Sequence, residues 1–166
     1  WLNQDGSVYA HTVAGNNGQA LCATGQPTSG VWHVIVGNDR SFAALSSTGK
    51  IHVWGHPSDV NKVPRGDGYT AIQPGYTSFC ALWWDGTIHC WGSVSFSGSP
   101  VPYEKGYVSI YATRNAYAAL NVDGTARAFG QGGQGGDTPA EGLSNVAKIF
   151  TNLGAFVALH KDGSLT

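Results

Sequence analysis

Leu82-Trp83-Trp84-Asp85-Gly86-Thr87-Ile88 is one of five versions of a single phrase. The others are Leu2…Asp5-Gly6-Ser7-Val8, Leu45…Thr48-Gly49-Lys50-Ile51, Leu120…Asp123-Gly124-Thr125-Ala126 and Leu159…Asp162-Gly163-Ser164-Leu165. Leu precedes Gly by 4 residues in every copy, and the glycines fall 43, 37, 38 and 39 residues apart. A period near 40 residues with one turn per unit predicts a repeat architecture, not a conventional single core.

Asp-Gly between two apolar stretches is a strong hairpin signal. A two-residue loop would pair Leu82 with His89. A three-residue loop, with Gly86 in the left-handed region, pairs Leu82 with Ile88. The second register sets apolar opposite apolar in every copy, and a one-residue slip would place half of these side chains in water. The expected turn is therefore type I followed by a glycine bulge. The same register opposes Ala43 to Val53, Cys80 to Cys90 and Ala118 to Ala128, on the face of the Leu pairs. The other face carries Phe42, Phe79, Tyr117 and Phe156, with Trp54, Trp91 and Phe129 across from them. Both faces are apolar, so each sheet must be covered on both sides, as a blade stacked between two others is. A further strand is expected around Ile35, Ile72, Ile110 and Ile149, each 10 residues before the hairpin Leu. Pro27, Pro64, Pro102 and Pro139 mark edges or connections, because proline cannot donate to a ladder. The Gly130–Gly136 run reads as the most flexible connection.

Composition suits short strands and many tight turns: 24 glycines in 166 residues, with 11% charged. The net charge is −1 and the basic residues are scattered, which argues against a nucleic-acid partner. No apolar run approaches a membrane span, and the first residues do not read as a charged-plus-apolar signal peptide, so none is expected there. There is no methionine, and both Trp1 and Thr166 stand inside a repeat, so a processed or partial chain is expected.

Trp83 and Trp84 stand where sister hairpins carry mostly polar residues, namely Asn3-Gln4, Ser46-Ser47, Asn121-Val122 and His160-Lys161. Trp is enriched at interface hot spots, so the pair is a candidate partner contact, set against packing on a neighbouring loop. Cys80 and Cys90 are opposed within reach of a disulfide. The sequence favours two small buried apolar side chains there, since the sister pairs are Ala43/Val53 and Ala118/Ala128. Cys22 has no partner by this logic. His52 and His89 occupy equivalent positions, but the third is Arg127, so they read as ordinary half-buried histidines and no metal site is expected. Asp5, Asp85, Asp123 and Asp162 are explained by turn geometry. No glycine run has the phosphate-binding context, and no Ser/His/Asp spacing stands out. The expectation is a chain that is not an enzyme, without catalytic, cofactor or metal residues.

The unit Pro…Ile…Phe/Tyr-x-Ala-Leu-x-x-Asp-Gly-x-Ile-x-x-Trp-Gly resembles the regulator of chromosome condensation repeat over nearly the whole chain. The resemblance is strong in the second to fourth units. The first departs from it at His11-Thr12, where Trp-Gly is expected. A histidine common in the family before Ala-Leu is replaced by Ser41, Ser78, Ala116 and Ala155, so its role is absent. The short period is closer to compact relatives such as the propeller-type β-lactamase inhibitors. The resemblance implies an all-β fold: a partial β-propeller of about four units with three to four antiparallel strands each. The units run about 1–30, 31–67, 68–105, 106–144 and 145–166, the last truncated, within a ring of typically seven blades. The expected function is a protein-binding scaffold or assembly subunit whose partners are other protein chains. Guanine-nucleotide exchange or chromatin association is the second reading, and a secreted lectin or inhibitor the third. Low basic charge and short repeats count against the second. A Cys80–Cys90 bond would favour the third.

Overall fold

The computed structural model describes residues 3–8, 25–93, 97–138 and 142–166. The readings placed on Leu2, His11, Thr12, Cys22 and Pro139 lie outside them. All five hairpin turns are built alike. In the third copy the Trp83 N–H donates to Thr87 O at 2.8 Å and the Gly86 N–H to Trp83 O at 2.9 Å. Gly6, Gly49, Gly86, Gly124 and Gly163 have φ of +78°, +81°, +86°, +87° and +89°. That left-handed geometry costs an L side chain strain that glycine escapes.

These turns organise four antiparallel sheets among the described residues. The first contains β1 (Trp32–Gly37), β2 (Ser41–Ser46) and β3 (Ile51–Gly55). A four-residue helix, α1 (Pro57–Val60), follows it. The second contains β4 (Tyr69–Pro74), β5 (Ser78–Trp83) and β6 (Ile88–Gly92), and the third β7 (Tyr107–Ala112), β8 (Ala116–Asn121) and β9 (Ala126–Gly130). The fourth contains β10 (Val146–Thr151) and β11 (Phe156–His160). Leu45 pairs with Ile51, Leu82 with Ile88 and Leu120 with Ala126, the register expected from the apolar pattern. Ile35, Ile72, Ile110 and Ile149 all lie in the first strand of their sheet. In the third sheet Leu143 bridges to Ala126 and occupies a fourth-strand position.

Among the described residues, three of the four buried clusters lie between sheets, and the fourth (Trp32, Ala44, Trp54) lies on the first sheet. Ala43, Leu45, Ile51 and Val53 of the first sheet pack on Tyr69, Ile72, Phe79 and Trp91 of the second. Cys80, Leu82 and Ile88 of the second pack on Tyr107, Ile110, Tyr117 and Phe129 of the third. Ala118, Leu120 and Ala126 of the third meet Val146, Ile149 and Ala158 of the fourth. The aliphatic faces of the first two sheets are thus covered by the aromatic faces of the next, and that of the third by Val146, Ile149 and Ala158 with Phe156 against them. The aromatic faces hold stacked pairs: Phe42–Trp54, Phe79–Trp91 and Tyr117–Phe129, with centroids 5.5, 5.4 and 5.6 Å apart. Burial on both faces is what makes both faces apolar.

Cys80 and Cys90 are joined by a disulfide, where the sequence favoured separate thiols. They form a non-hydrogen-bonded cross-strand pair, the kind that brings side chains closest, with Cα atoms 4.1 Å apart. The sister pairs hold no sulfur, so the repeat pattern carried no sign of the bond.

Candidate partner-binding face

The Asp-Gly turns gather at one end of the strands. Four of the five are locked by their own aspartate. Asp85 Oδ1 accepts the Thr87 N–H at 3.0 Å and the Thr87 hydroxyl at 2.7 Å. Asp5 with Ser7, Asp123 with Thr125, and Asp162 with Ser164 repeat both bonds. Thr48 replaces Asp in the second copy, and there Ser46 Oγ accepts the Lys50 N–H at 3.0 Å instead. Acceptance of these bonds holds the carboxyls of Asp5, Asp123 and Asp162 below the ordinary aspartate range. Asp85 lies at about 2, first because Lys105 bonds it and then because Thr87 does. The Lys105 Nζ–Asp85 Oδ2 distance is 2.9 Å.

Successive turns are also bonded to each other. The Gly68 N–H donates to Thr48 O at 3.0 Å, and Gly68 O accepts the Trp84 N–H at 3.0 Å. The Gly106 N–H donates to Asp85 O at 3.0 Å, and Gly106 O accepts the Val122 N–H at 2.9 Å. Asn145 O accepts the Lys161 N–H at 2.9 Å. These relay residues all have positive φ: +111° at Gly68, +90° at Gly106 and +59° at Asn145. They stand 18 residues before the turn glycines Gly86, Gly124 and Gly163, a second periodic signal in the sequence. Asn is the non-glycine residue that tolerates this region best, which explains Asn145.

The structure separates the two candidate tryptophans. Trp83 is half-buried, edge-on to Tyr69 with centroids 4.6 Å apart, and it covers Gly66 and Gly68. Its side chain supports the hairpin from inside the fold, the packing alternative weighed against a partner contact. Trp84 is 71% exposed, although its main chain is pinned to Gly68. The equivalent Val122 is 74% exposed on the neighbouring hairpin. In the sequence it stands beside Asn121 at a mostly polar tip. Trp84 and Val122 thus form an exposed apolar pair on adjacent turns whose backbones are bonded through Gly106. The histidines have partners of their own: His52 Nε2 contacts Gly25 O at 2.6 Å, and His89 Nδ1 meets the Tyr69 hydroxyl.

This geometry has clear relatives among solved structures. The CRINKLY WD40 ectodomain of the Arabidopsis thaliana receptor kinase ACR4 matches with a TM-score of 0.60 at 16% identity, over 78% of this chain and 47% of that one. The ectodomain of the Physcomitrella patens receptor kinase CR4 matches with a TM-score of 0.60 at 17% identity, over 86% and 42%. Prp20p of Saccharomyces cerevisiae matches with a TM-score of 0.58 at 16% identity, over 79% and 42%. The four sheets are part of a β-propeller. The chain spans less than half the length of each of these structures. No family model matches it, and no curated protein does. No helix of the described residues is long and apolar enough to cross a membrane.

Proposed function

We propose that this chain is a non-catalytic, protein-binding segment of a larger propeller related to the regulator of chromosome condensation repeat, and that its Asp-Gly end is the contact face. The observation that carries this reading is Trp84. A large apolar side chain stands in solvent on a hairpin whose backbone is bonded within itself and to the next sheet. The sister positions hold Ser47, Val122 and Lys161, so the scaffold itself does not require Trp there. Solved relatives offer a precedent: Prp20p is described with its binding to Gsp1p and histones, and yeast RCC1 was solved bound to Kap60.

The test pairs Trp84→Ser with Trp83→Ser, after the molecules that co-purify with the native protein have been identified. Trp84→Ser is expected to weaken partner association by about 2 kcal/mol or more while leaving the melting transition in place. Trp83→Ser is expected to lower that transition. Unchanged partner affinity in folded Trp84→Ser protein rejects the contact.

The Cys80–Cys90 disulfide favours a second reading, a binding module that matures in an oxidising compartment. Glycan screening and mapping of free thiols in protein from its native source test it.

A further inference from the structure

At the opposite end of the strands, the turns between the first and second strand of each sheet form another repeated series. Asp39, Tyr76, Arg114 and Leu153 each stand 10 residues before the turn glycine of their own unit. Their backbones are bonded in sequence around the arc. The Asp39 N–H donates to Tyr76 O at 3.0 Å, the Tyr76 N–H to Arg114 O at 2.9 Å, and the Arg114 N–H to Leu153 O at 3.0 Å. The turns are capped locally as well. Asn38 Oδ1 accepts from the Arg40 and Ser41 N–H groups, and Asn152 Oδ1 from those of Gly154 and Ala155. The result is a fixed rim whose side chains differ at every step.

The cation on this rim is presented, not neutralised. The Arg114 guanidinium carbon lies 4.0 Å from the centroid of the Tyr76 ring. Among the described residues, the ion pairs are Arg40–Asp59, Lys105–Asp85 and Arg127–Glu104, and none includes Arg114. Stacking on tyrosine holds the guanidinium fork in place and leaves its N–H groups for an anion. Beside it is an open cavity of about 390 Å³, lined by Tyr76, Ala112, Thr113, Arg114, Asn152 and Leu153. Leu153 is 84% exposed at its edge. A positive fork beside an apolar hollow complements a carboxylate next to an aliphatic side chain. Asp39, beyond Tyr76, disfavours a second carboxylate on that side.

We propose that this rim docks an acidic peptide segment of a protein partner, with a Glu or Asp carboxylate on Arg114 and the neighbouring aliphatic side chain between Tyr76 and Leu153. The surface is separate from Trp84, at the other end of the strands, so either can fail without the other.

The probe is a short fluorescein-labelled peptide carrying a single Glu-Leu step in a Gly-Ser background, titrated with the full chain and read by fluorescence anisotropy. The same peptide with Gln for Glu is the charge control. The Glu peptide is expected to bind, and Arg114→Gln or the Gln peptide to weaken binding about tenfold or more, as loss of a charged hydrogen bond does. Arg114→Lys is expected to weaken it too, because the planar fork is lost. Trp84→Ser should leave it unchanged. The relay uses only the Arg114 backbone, so the variants keep the rim, and circular dichroism confirms that they fold. No binding of the Glu peptide, equal binding of the Gln peptide, or full affinity in folded Arg114→Gln protein overturns the proposal. Preference for a single-stranded oligonucleotide over the Glu peptide overturns it as well.

Discussion

A Cβ added at Gly86 would lie 2.3 Å from Gly106 N and 2.4 Å from Tyr107 N, on a residue whose φ is +86°. One added at Gly163, with φ +89°, meets nothing within 4 Å. The two sites separate conformational strain from contact. Gly163→Ala is expected to destabilise the protein by about 1 kcal/mol, the cost of a left-handed L residue. Gly86→Ala should cost clearly more in the same denaturant titration, since the backbone of the next sheet must also move. Electrostatics at the same turn give another prediction. The depressed Asp85 pKa of about 2 means that its charged form favours the folded state. That contribution is full above the ordinary aspartate range and is withdrawn as the pH falls through about 2. NMR titration of the Asp85 carboxyl should show the low midpoint, and Lys105→Ala should move it upward.

Among the elements, two joints carry unusual chemistry. Asp59, fully buried in α1, receives Ser41 Oγ–H at 2.8 Å and the Arg40 Nη2 at 3.2 Å. The same guanidinium reaches the second sheet, donating to Ser93 Oγ at 2.7 Å and Thr77 O at 3.3 Å. Burial pushes the Asp59 carboxyl up, but the bonds from Arg40 and Ser41 outweigh it and hold the carboxyl below the ordinary range. The joint therefore weakens only in acid, as the pH falls through that lowered value. Arg40→Ala strands a buried carboxylate, and a loss of about 3–5 kcal/mol is expected in equilibrium unfolding. The disulfide is the other joint. It closes a sequence separation of 10, so reduction or Cys80→Ala/Cys90→Ala should lower stability by about 2–3 kcal/mol. Calorimetry with and without reductant measures this directly.

For the whole molecule, the aliphatic faces decide behaviour in solution. Residues at the positions of Val157 and Leu165 are buried in the other three sheets, whereas these two are 41% and 66% exposed. A face that its sisters bury under aromatic side chains invites association. A polypeptide of residues 1–166 is expected to self-associate on analytical ultracentrifugation. Val157→Lys with Leu165→Lys should shift it toward the monomer. A monodisperse wild-type chain at high concentration counts against this.

The repeat period, the turn type, the strand register and the division into an aliphatic and an aromatic face were legible in the amino-acid order. Each is a local property: a left-handed glycine, side chains alternating across a strand, apolar opposite apolar across a three-residue loop. Trp84 stands out in the sequence for the same reason, as an exception at a repeated place. The sequence leaves Trp83 open between contact and packing because its neighbours, Tyr69 and Gly68, belong to another strand and the loop before it. The Cys80–Cys90 bond needed the actual cross-strand distance. Gly68, Gly106 and Asn145 recur in plain sight, but their positive φ has a cause only once turns of adjacent sheets lie against each other. The Arg40–Asp59 joint spans 19 residues of chain, and the stack of Arg114 on Tyr76 joins equivalent turns of two sheets. Spacing within one repeat cannot show these contacts, because they depend on how each sheet sits on the next.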